Sequence, residues 1–584
     1  MSEFTPSSYQ EEIFKFIETG VGNAVINAKA GSGKTTTLEK AMAYIPENEK
    51  VLFIAFNKAI CEELTKRLKR SNCKNVDVRT FHSLGYAILM ENMGYIKPQD
   101  WKYTRHISNN IRKYTATNAK TLGSLRKFKT YKNNIKELVN FARFNFAQST
   151  EEIAKLADRY GIALLADECD VTAKILEWGA DNLDEIDYTD MIWLCSELQL
   201  ETMKYKYDKI FIDEAQDASI INQMLFEKCL KRGGRFVAVG DRDQCINAFA
   251  GADSEAFDKF LAKPNTIKLD LPISYRCPKV IVKEVNAKGI DIKHRDNAPE
   301  GSINFDAHPY APVSGDMVLC RTTAPLTRLF SEYMKINKKA YIKGKDIGDK
   351  LIDKIDTTGE DYLSLNMRSD GVFPRLYEMM FNTLDEVMKR EKIELEDAVM
   401  DEKFNQMYDS IIALESLAQG LTRAEELISK IKTIFTNDNA EGVCLSTIHK
   451  AKGLEADNVY VLCPSLLPSK CAKEEWEKRQ EANLEYVMMT RAKLNLHYIS
   501  EDLFSPDAFQ GDFFAELDSM RAKMNKALNV KTEFFKPESG IAYCADMSDD
   551  VKRVLGLMEM PKRTVNENRK KKVGGNKFNF TKHK

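Results

Sequence analysis

Lys34 and Thr35 close a run of small residues in AVINAKAGSGKTTTLEK, which spans Ala24 to Lys40. Ala30, Gly31, Ser32 and Gly33 precede them and Thr36 follows. Glycines at this spacing let backbone amides curl around an anion that a Cβ would obstruct. The lysine would reach the β- and γ-phosphates of a nucleotide, and the threonine hydroxyl would sit on Mg²⁺. A pair of carboxylates, Asp213 and Glu214, ends an apolar run in KIFIDEAQD. Asp213 would hold the magnesium and its water shell, and Glu214 would orient and deprotonate the attacking water. Gln244, in RFVAVGDRDQCINAFAGA, is placed to sense the γ-phosphate. Tyr275 and Arg276, in LPISYRC, could stack on adenine and reach the same phosphate. Gln10 offers both a donor and an acceptor, which suits an adenine edge.

These residues need strands and helices to hold them. Apolar runs at Ala24–Ala28, Val51–Phe56, Val76–Arg79, Lys209–Ile212 and Arg235–Gly240 read as strands ending in polar residues. Ligands bind at such strand ends in parallel sheets. A helix is expected from Lys34, and FTPSSYQEEIFKFIETG reads as another, capped by Ser7 or Ser8, with Gln10 on its first turn. A second α/β pattern follows Arg276, with strand-like runs at 302–305, 316–320, 442–446 and 458–463. Arg491 is expected in a helix beyond it. The stretch between Lys350 and Ala440 reads as a mostly helical insertion.

The chain of 584 residues is too long for one core. Its composition is 43% hydrophobic and 30% charged, with a net charge of −1. That average hides segregation. From Trp101 to Lys136 there are ten lysines and arginines, Lys127, Lys129 and Lys132 among them, and no acid. Trp101, Tyr103, Tyr114, Phe128 and Tyr131 are interleaved, so cations for a phosphate backbone alternate with rings for bases. The acidic segment Glu151 to Glu201 offsets this charge. Twelve scattered cysteines form no C-x-x-C pair and no cluster at metal spacing, which points to reduced thiols and no structural metal. No signal peptide and no bilayer-length apolar run are found, so no membrane association is expected. The expected location is the cytoplasm, with the nucleoid, or the nucleus of a eukaryotic host. From Pro561 the chain is polar and basic, and reads as a disordered tail for nucleic acid or a protein partner.

In this order the motifs resemble those of superfamily 1A DNA helicases of the UvrD/Rep/PcrA type. Gln10 matches the adenine-reading motif, and AKAGSGKT the phosphate loop, with Ala28 in place of its first glycine. FNKAICEEL, TFHSLG, IDYTDM, IDEAQD, VGDRDQCINAFAGA, SYRC, STIHKAKGLEADNVYVL and LEYVMMTRAK match the motifs that follow. FNK, TFHS and the short second insertion are similar to the F-box helicase branch. The resemblance implies an α/β fold with two RecA-like motor domains, 1–85 with 205–275 and 276–350 with 441–505. A basic helical insertion (86–204), a short helical insertion (351–440) and a C-terminal extension (506–560) would complete the chain. ATP and Mg²⁺ would bind between the motors, with Arg276 and Arg491 at the γ-phosphate and Gly453 and Glu455 at the ribose. Single-stranded DNA or a single/double-strand junction would cross Asn57, Lys58, Thr80, His82, Phe249 and His449. Motion would run 3′ to 5′. The alternatives are a translocase that strips proteins from DNA and an ATP-gated DNA-binding scaffold. Asn247 and Ala250 stand where many members carry an aromatic and an arginine, which thins the grip around Phe249.

Overall fold

The computed structural model describes residues 5–55, 58–70, 73, 75–123, 125–246, 256–391, 395–399, 401–436, 441–504 and 513–528. Asn57, Phe249 and the tail from 561 lie outside the described residues. The chain divides into two units, Met1–Gly344 with Thr436–Ser505, and Lys345–Phe435 with Pro506–Lys584.

The first unit holds two parallel sheets. In the first, β1 (Asn23–Ala28), β2 (Val51–Ile54), β3 (Val76–Arg79), β4 (Tyr207–Ile212), β5 (Leu230–Gly240) and β6 (Thr266–Leu271) run in the order β3-β2-β4-β5-β1-β6. Every neighbouring pair is parallel. Parallel sheets need apolar cover on both faces, which is why the central strands read as continuous apolar runs. Alternate residues serve opposite cores. Ile26, Val51, Phe53, Phe211 and Val239 pack with the helices Ser8–Thr19 and Lys34–Ala41. Val25, Leu52, Ile54, Ile210 and Ala238 face a helical insertion that includes Leu125–Asn145 and Asp190–Glu197. Because β4, β5 and β1 are adjacent, Asp213, Asp241 and the phosphate loop emerge side by side.

In the second sheet β7 (Ser302–Ala307), β8 (Met317–Cys320), β9 (Ala340–Lys343), β10 (Val443–Thr447), β11 (Ala456–Val461) and β12 (Ala492–Ile499) follow the order β7-β12-β11-β8-β10-β9. The helix Glu475–Met489 leads into β12. Arg491 therefore lies just past a helix rather than within one, because Thr490 caps that helix and β12 begins at Ala492. The second unit is helical. Val372–Glu391 packs against Phe513–Ala527, with the Arg521 guanidinium 4.4 Å from the centre of the Phe381 ring.

The basic stretch is not all surface. Lys102 is buried and donates to Asp190 at 2.9 Å and to the Gly179 carbonyl at 2.8 Å. Arg143, also buried, donates to both oxygens of Asp187 and to Asp190, each at 2.8 Å. Tyr103 and Tyr131 are core residues, and Tyr103 donates to Asp190. Two cations against two carboxylates make this network electrically balanced, as buried charges must be. It ties the IDYTDM segment to the helices that carry the remaining exposed lysines.

Candidate nucleotide site and nucleic-acid surface

The phosphate loop departs from β1 and hands the chain to the helix Lys34–Ala41. Gly33 caps that helix in a left-handed conformation (φ +76°) with no side-chain hydrogen bond to the first amides. A Cβ there would meet no atom within 4 Å. The buried Ser32 hydroxyl has no hydrogen-bond partner. Open space, uncapped helix amides, an orphaned hydroxyl and the Lys34 ammonium together suit a phosphate group. Gly31 is different: its φ is +71°, and a Cβ would lie 2.5 Å from Cβ of Arg276. Glycine is required there because the junction leading to the second sheet presses on the loop.

Lys34 Nζ lies 3.0 Å from Glu214 Oε1, and Thr35 donates to Asp213 at 3.3 Å. Thr36 stands exposed on the same turn. Glu214 has φ 52°, a left-handed conformation rare for a residue with a side chain. Gln216 also donates to it, at 2.5 Å. Burial pushes the Glu214 carboxyl up, but the Lys34 and Lys452 ammonium groups outweigh that and hold it below the usual range, so it is ionised. Asp213 moves the other way, raised by burial first and by the charge on Glu214 second. The pair is short of positive charge, which fits a divalent cation on Thr35 and Asp213. Among the described residues no group of three or more metal-ligating side chains exists, so phosphate and water oxygens would supply the remaining ligands.

Gln244 is buried and donates through Nε2 to Asp241 at 2.6 Å. Lys29 pairs with Asp243 at 2.5 Å. Across from these groups, Arg276 donates to Glu455 at 2.5 Å and to the Thr490 carbonyl at 3.3 Å. Glu455, expected at a ribose, is thus turned onto Arg276; Gly453 beside it has φ +88°. Arg491 is buried and bonds only carbonyls and a hydroxyl: Val487 O at 2.8 Å, Leu454 O at 3.1 Å and Thr490 Oγ1 at 3.1 Å. Burial and the neighbouring Arg276 lower it to about 10. Among the described residues it makes no salt bridge, so it is a buried cation in want of an anion. Gln10 is buried rather than on the surface; it donates to Thr37 at 2.9 Å, accepts from Ser7, and lies 3.5 Å from the hydroxyl of the half-exposed Tyr275.

Two family models match this chain. One, the UvrD/REP helicase N-terminal domain, covers residues 9–265, and the other, the UvrD-like helicase C-terminal domain, covers 442–499. Together they span more than half of the sequence. The chain belongs to the UvrD/Rep helicase family, superfamily 1A. Among its relatives, F-box DNA helicase protein 1 of Schizosaccharomyces pombe is 27% identical over 81% of this chain and 55% of its own length. The chain therefore spans about half of that relative. ATP-dependent DNA helicase PcrA of Staphylococcus aureus is 22% identical over 82% of this chain and 81% of its own. Its counterpart in Staphylococcus epidermidis is 23% identical over 83% and 82%.

The residues expected on DNA are placed as follows. Lys58 is exposed, 3.8 Å from Glu62. Thr80 caps the helix Phe81–Met93 with its hydroxyl, which accepts from the Ser83 amide at 3.1 Å. His82 is exposed and stands edge-on to Tyr188, ring centres 6.1 Å apart. Lys127 and Lys129 are exposed, and Lys132 lies over the Phe128 ring. His449 is held at about 3 by burial first and by Arg321 and Lys450 next, so its imidazole is neutral.

Sequence reasoning did not single out three residues that the structure brings here. Lys452 donates to Asp217 at 2.5 Å and to the Gln244 carbonyl at 2.9 Å. Tyr486 bonds both Ala30 and Asp241, each at 2.9 Å. Tyr188 exposes its ring beside His82. Ala30, expected to face the phosphates, instead gives its N–H to Tyr486, because it is buried among second-sheet side chains. All three lie inside stretches quoted for their motifs, but no spacing rule marks a contact made across space.

Proposed function

We propose that the protein is an ATP-driven DNA helicase that moves 3′ to 5′ on single-stranded DNA, serving repair, recombination or replication in the cytoplasm or nucleus of its host. The observation that carries this reading is the convergence of Lys34, Thr35, Asp213, Glu214 and Gln244 from the first sheet with Arg276 from the junction and Arg491, which makes no salt bridge among the described residues, from the second. Thr35 and Asp213 would hold Mg²⁺, which would supply positive charge against the charge that develops in phosphoryl transfer. The protein's own groups do the rest. The ionised Glu214 accepts a proton from water, and Lys34 exchanges that carboxylate for a phosphate. Arg276 from the junction between the sheets and Arg491 from just before β12 of the second sheet bring positive charge to the γ-phosphate, so hydrolysis depends on how the two sheets are juxtaposed. Alternate closing and opening would then move the strand lying on Lys58, His82 and His449.

The test is ATP-dependent strand separation on duplexes with a 3′ or a 5′ single-stranded tail, with Lys34→Ala as control. Unwinding of the 3′-tailed duplex alone, lost in Lys34→Ala, is expected. Preference for the 5′ tail would overturn the polarity. DNA-stimulated hydrolysis without unwinding would favour a translocase that strips proteins.

A further inference from the structure

The helix Glu475–Met489 sends one side chain out of the second sheet's core into the phosphate loop. Tyr486 is 1% exposed, and its hydroxyl has two partners 2.9 Å away, the Ala30 amide and Asp241 Oδ2. The direction of each bond is forced. A backbone N–H can only donate, so the phenol oxygen accepts from Ala30. The phenol proton must then go to Asp241, whose Oδ2 also receives Gln244 Nε2 at 2.6 Å. Asp241 is itself fully buried, and its other oxygen lies 3.9 Å from Lys29. One phenol thus fixes the third residue of the loop and the carboxylate that orients the γ-phosphate sensor. Packing reinforces it. Ala30 and Ile246, both from the first sheet's side, belong to the same buried cluster as Cys277, Ile448, Leu484 and Tyr486.

We propose that Tyr486 is a positioning residue for ATP hydrolysis, through which the second sheet sets the phosphate loop and Gln244 in one register. This rests on the ATPase reading above. When the second sheet holds its place, Ala30 is anchored and Asp241 presents Gln244 with a fixed amide orientation. When it moves away, Ala30 N–H and Asp241 lose their shared partner together. Loop geometry and sensor orientation therefore change as one event, without any contact between Tyr486 and the nucleotide.

The test compares steady-state ATP hydrolysis by full-length wild type, Tyr486→Phe and Asn483→Ala, with and without single-stranded DNA. Asn483→Ala removes a bond of the same kind between the same two sides, to the Cys245 carbonyl, but leaves Ala30 and Asp241 paired. Tyr486→Phe should lower kcat about 10- to 100-fold, the scale of a sub-ångström misplacement of reacting groups. KM for ATP should stay within about threefold, since the interaction is made for turnover and not for binding. Asn483→Ala should keep kcat within about threefold of wild type. Equal losses in the two variants would mean general adhesion between the sheets and would overturn the proposal. So would a Tyr486→Phe kcat like wild type, or a loss borne by KM. If Tyr486→Phe does not fold, 3,5-difluorotyrosine at 486 serves instead: it keeps the shape but donates more strongly and accepts more weakly. An unchanged kcat in that variant would overturn the proposal. Absence of turnover in wild type would instead sink the ATPase reading itself.

Discussion

Asp213 is held at a cost in the nucleotide-free protein. Its carboxyl is raised above the ordinary value of 3.8 by burial and by Glu214, with Lys34 opposing. The folded state therefore binds this proton more tightly than the unfolded chain does. The stability it contributes is full below the unfolded value and is lost as pH rises through the raised one. At pH 7.5 Asp213 is ionised and therefore destabilising, because the folded state favours its protonated form. Asp213→Asn should accordingly raise the melting temperature of the nucleotide-free protein at pH 7.5. The gain should shrink at pH 4, and magnesium-dependent hydrolysis should be lost. Calorimetry at the two pH values, with a phosphate-release assay, checks this; a variant that melts lower at pH 7.5 would contradict it. The Asp-Glu pair itself was legible in the sequence, because two acids ending an apolar run downstream of a phosphate loop is a local pattern. The Tyr486 phenol was not, since its partners lie 456 and 245 residues away.

At the scale of elements, the loop between β1 and its helix contains two glycines with different duties. Gly33 has open space around it, so Gly33→Ala adds only the strain of a left-handed residue, about 1–2 kcal/mol. Its methyl would also intrude where a phosphate is expected. Gly31→Ala adds the same strain and a collision with Arg276 and Ser274. We expect Gly33→Ala to lose binding of a fluorescent ATP analogue with a small drop in melting temperature, and Gly31→Ala to show the larger drop. Equal melting temperatures would refute the distinction. The strands themselves could be read because buried parallel strands are apolar throughout: the expected run 458–463 is β11, Ala456–Val461, although β5 begins at Leu230 rather than Arg235. The basic stretch was harder. Lys102, Tyr103 and Tyr131 look like neighbours of Lys127 in a charge plot. Only distant acids, Asp190 for Lys102 and Tyr103 and Asp167 for Tyr131, and the core around them, explain why they turn inward.

Over the whole molecule, a net charge of −1 coexists with a helix, Leu125–Asn145, that carries Lys127, Lys129, Lys132 and Lys136. Lys136 is lowered by burial and then by Lys132 and Lys129, so these cations repel one another as they stand. A phosphate backbone would relieve that repulsion. Changing Lys127, Lys129 and Lys132 to glutamine should flatten the salt dependence of single-stranded DNA affinity by up to about three units of log–log slope, one per lost phosphate contact. Fluorescence anisotropy at several salt concentrations measures it, and an unchanged slope would return these lysines to ordinary solvated duty.

The seat of Ala30 and Ile246 in the second sheet's core bears on how separable the halves of this motor are. Expressed alone, the amino-terminal half would present a bare apolar spot beside its nucleotide loop, and Asp241 would lack its phenol partner. The carboxy-terminal half would keep a hole shaped for an alanine. Neither fragment is a finished object, and a chimaera joining halves from two distant helicases would inherit a mismatched seam at the loop that must grip ATP.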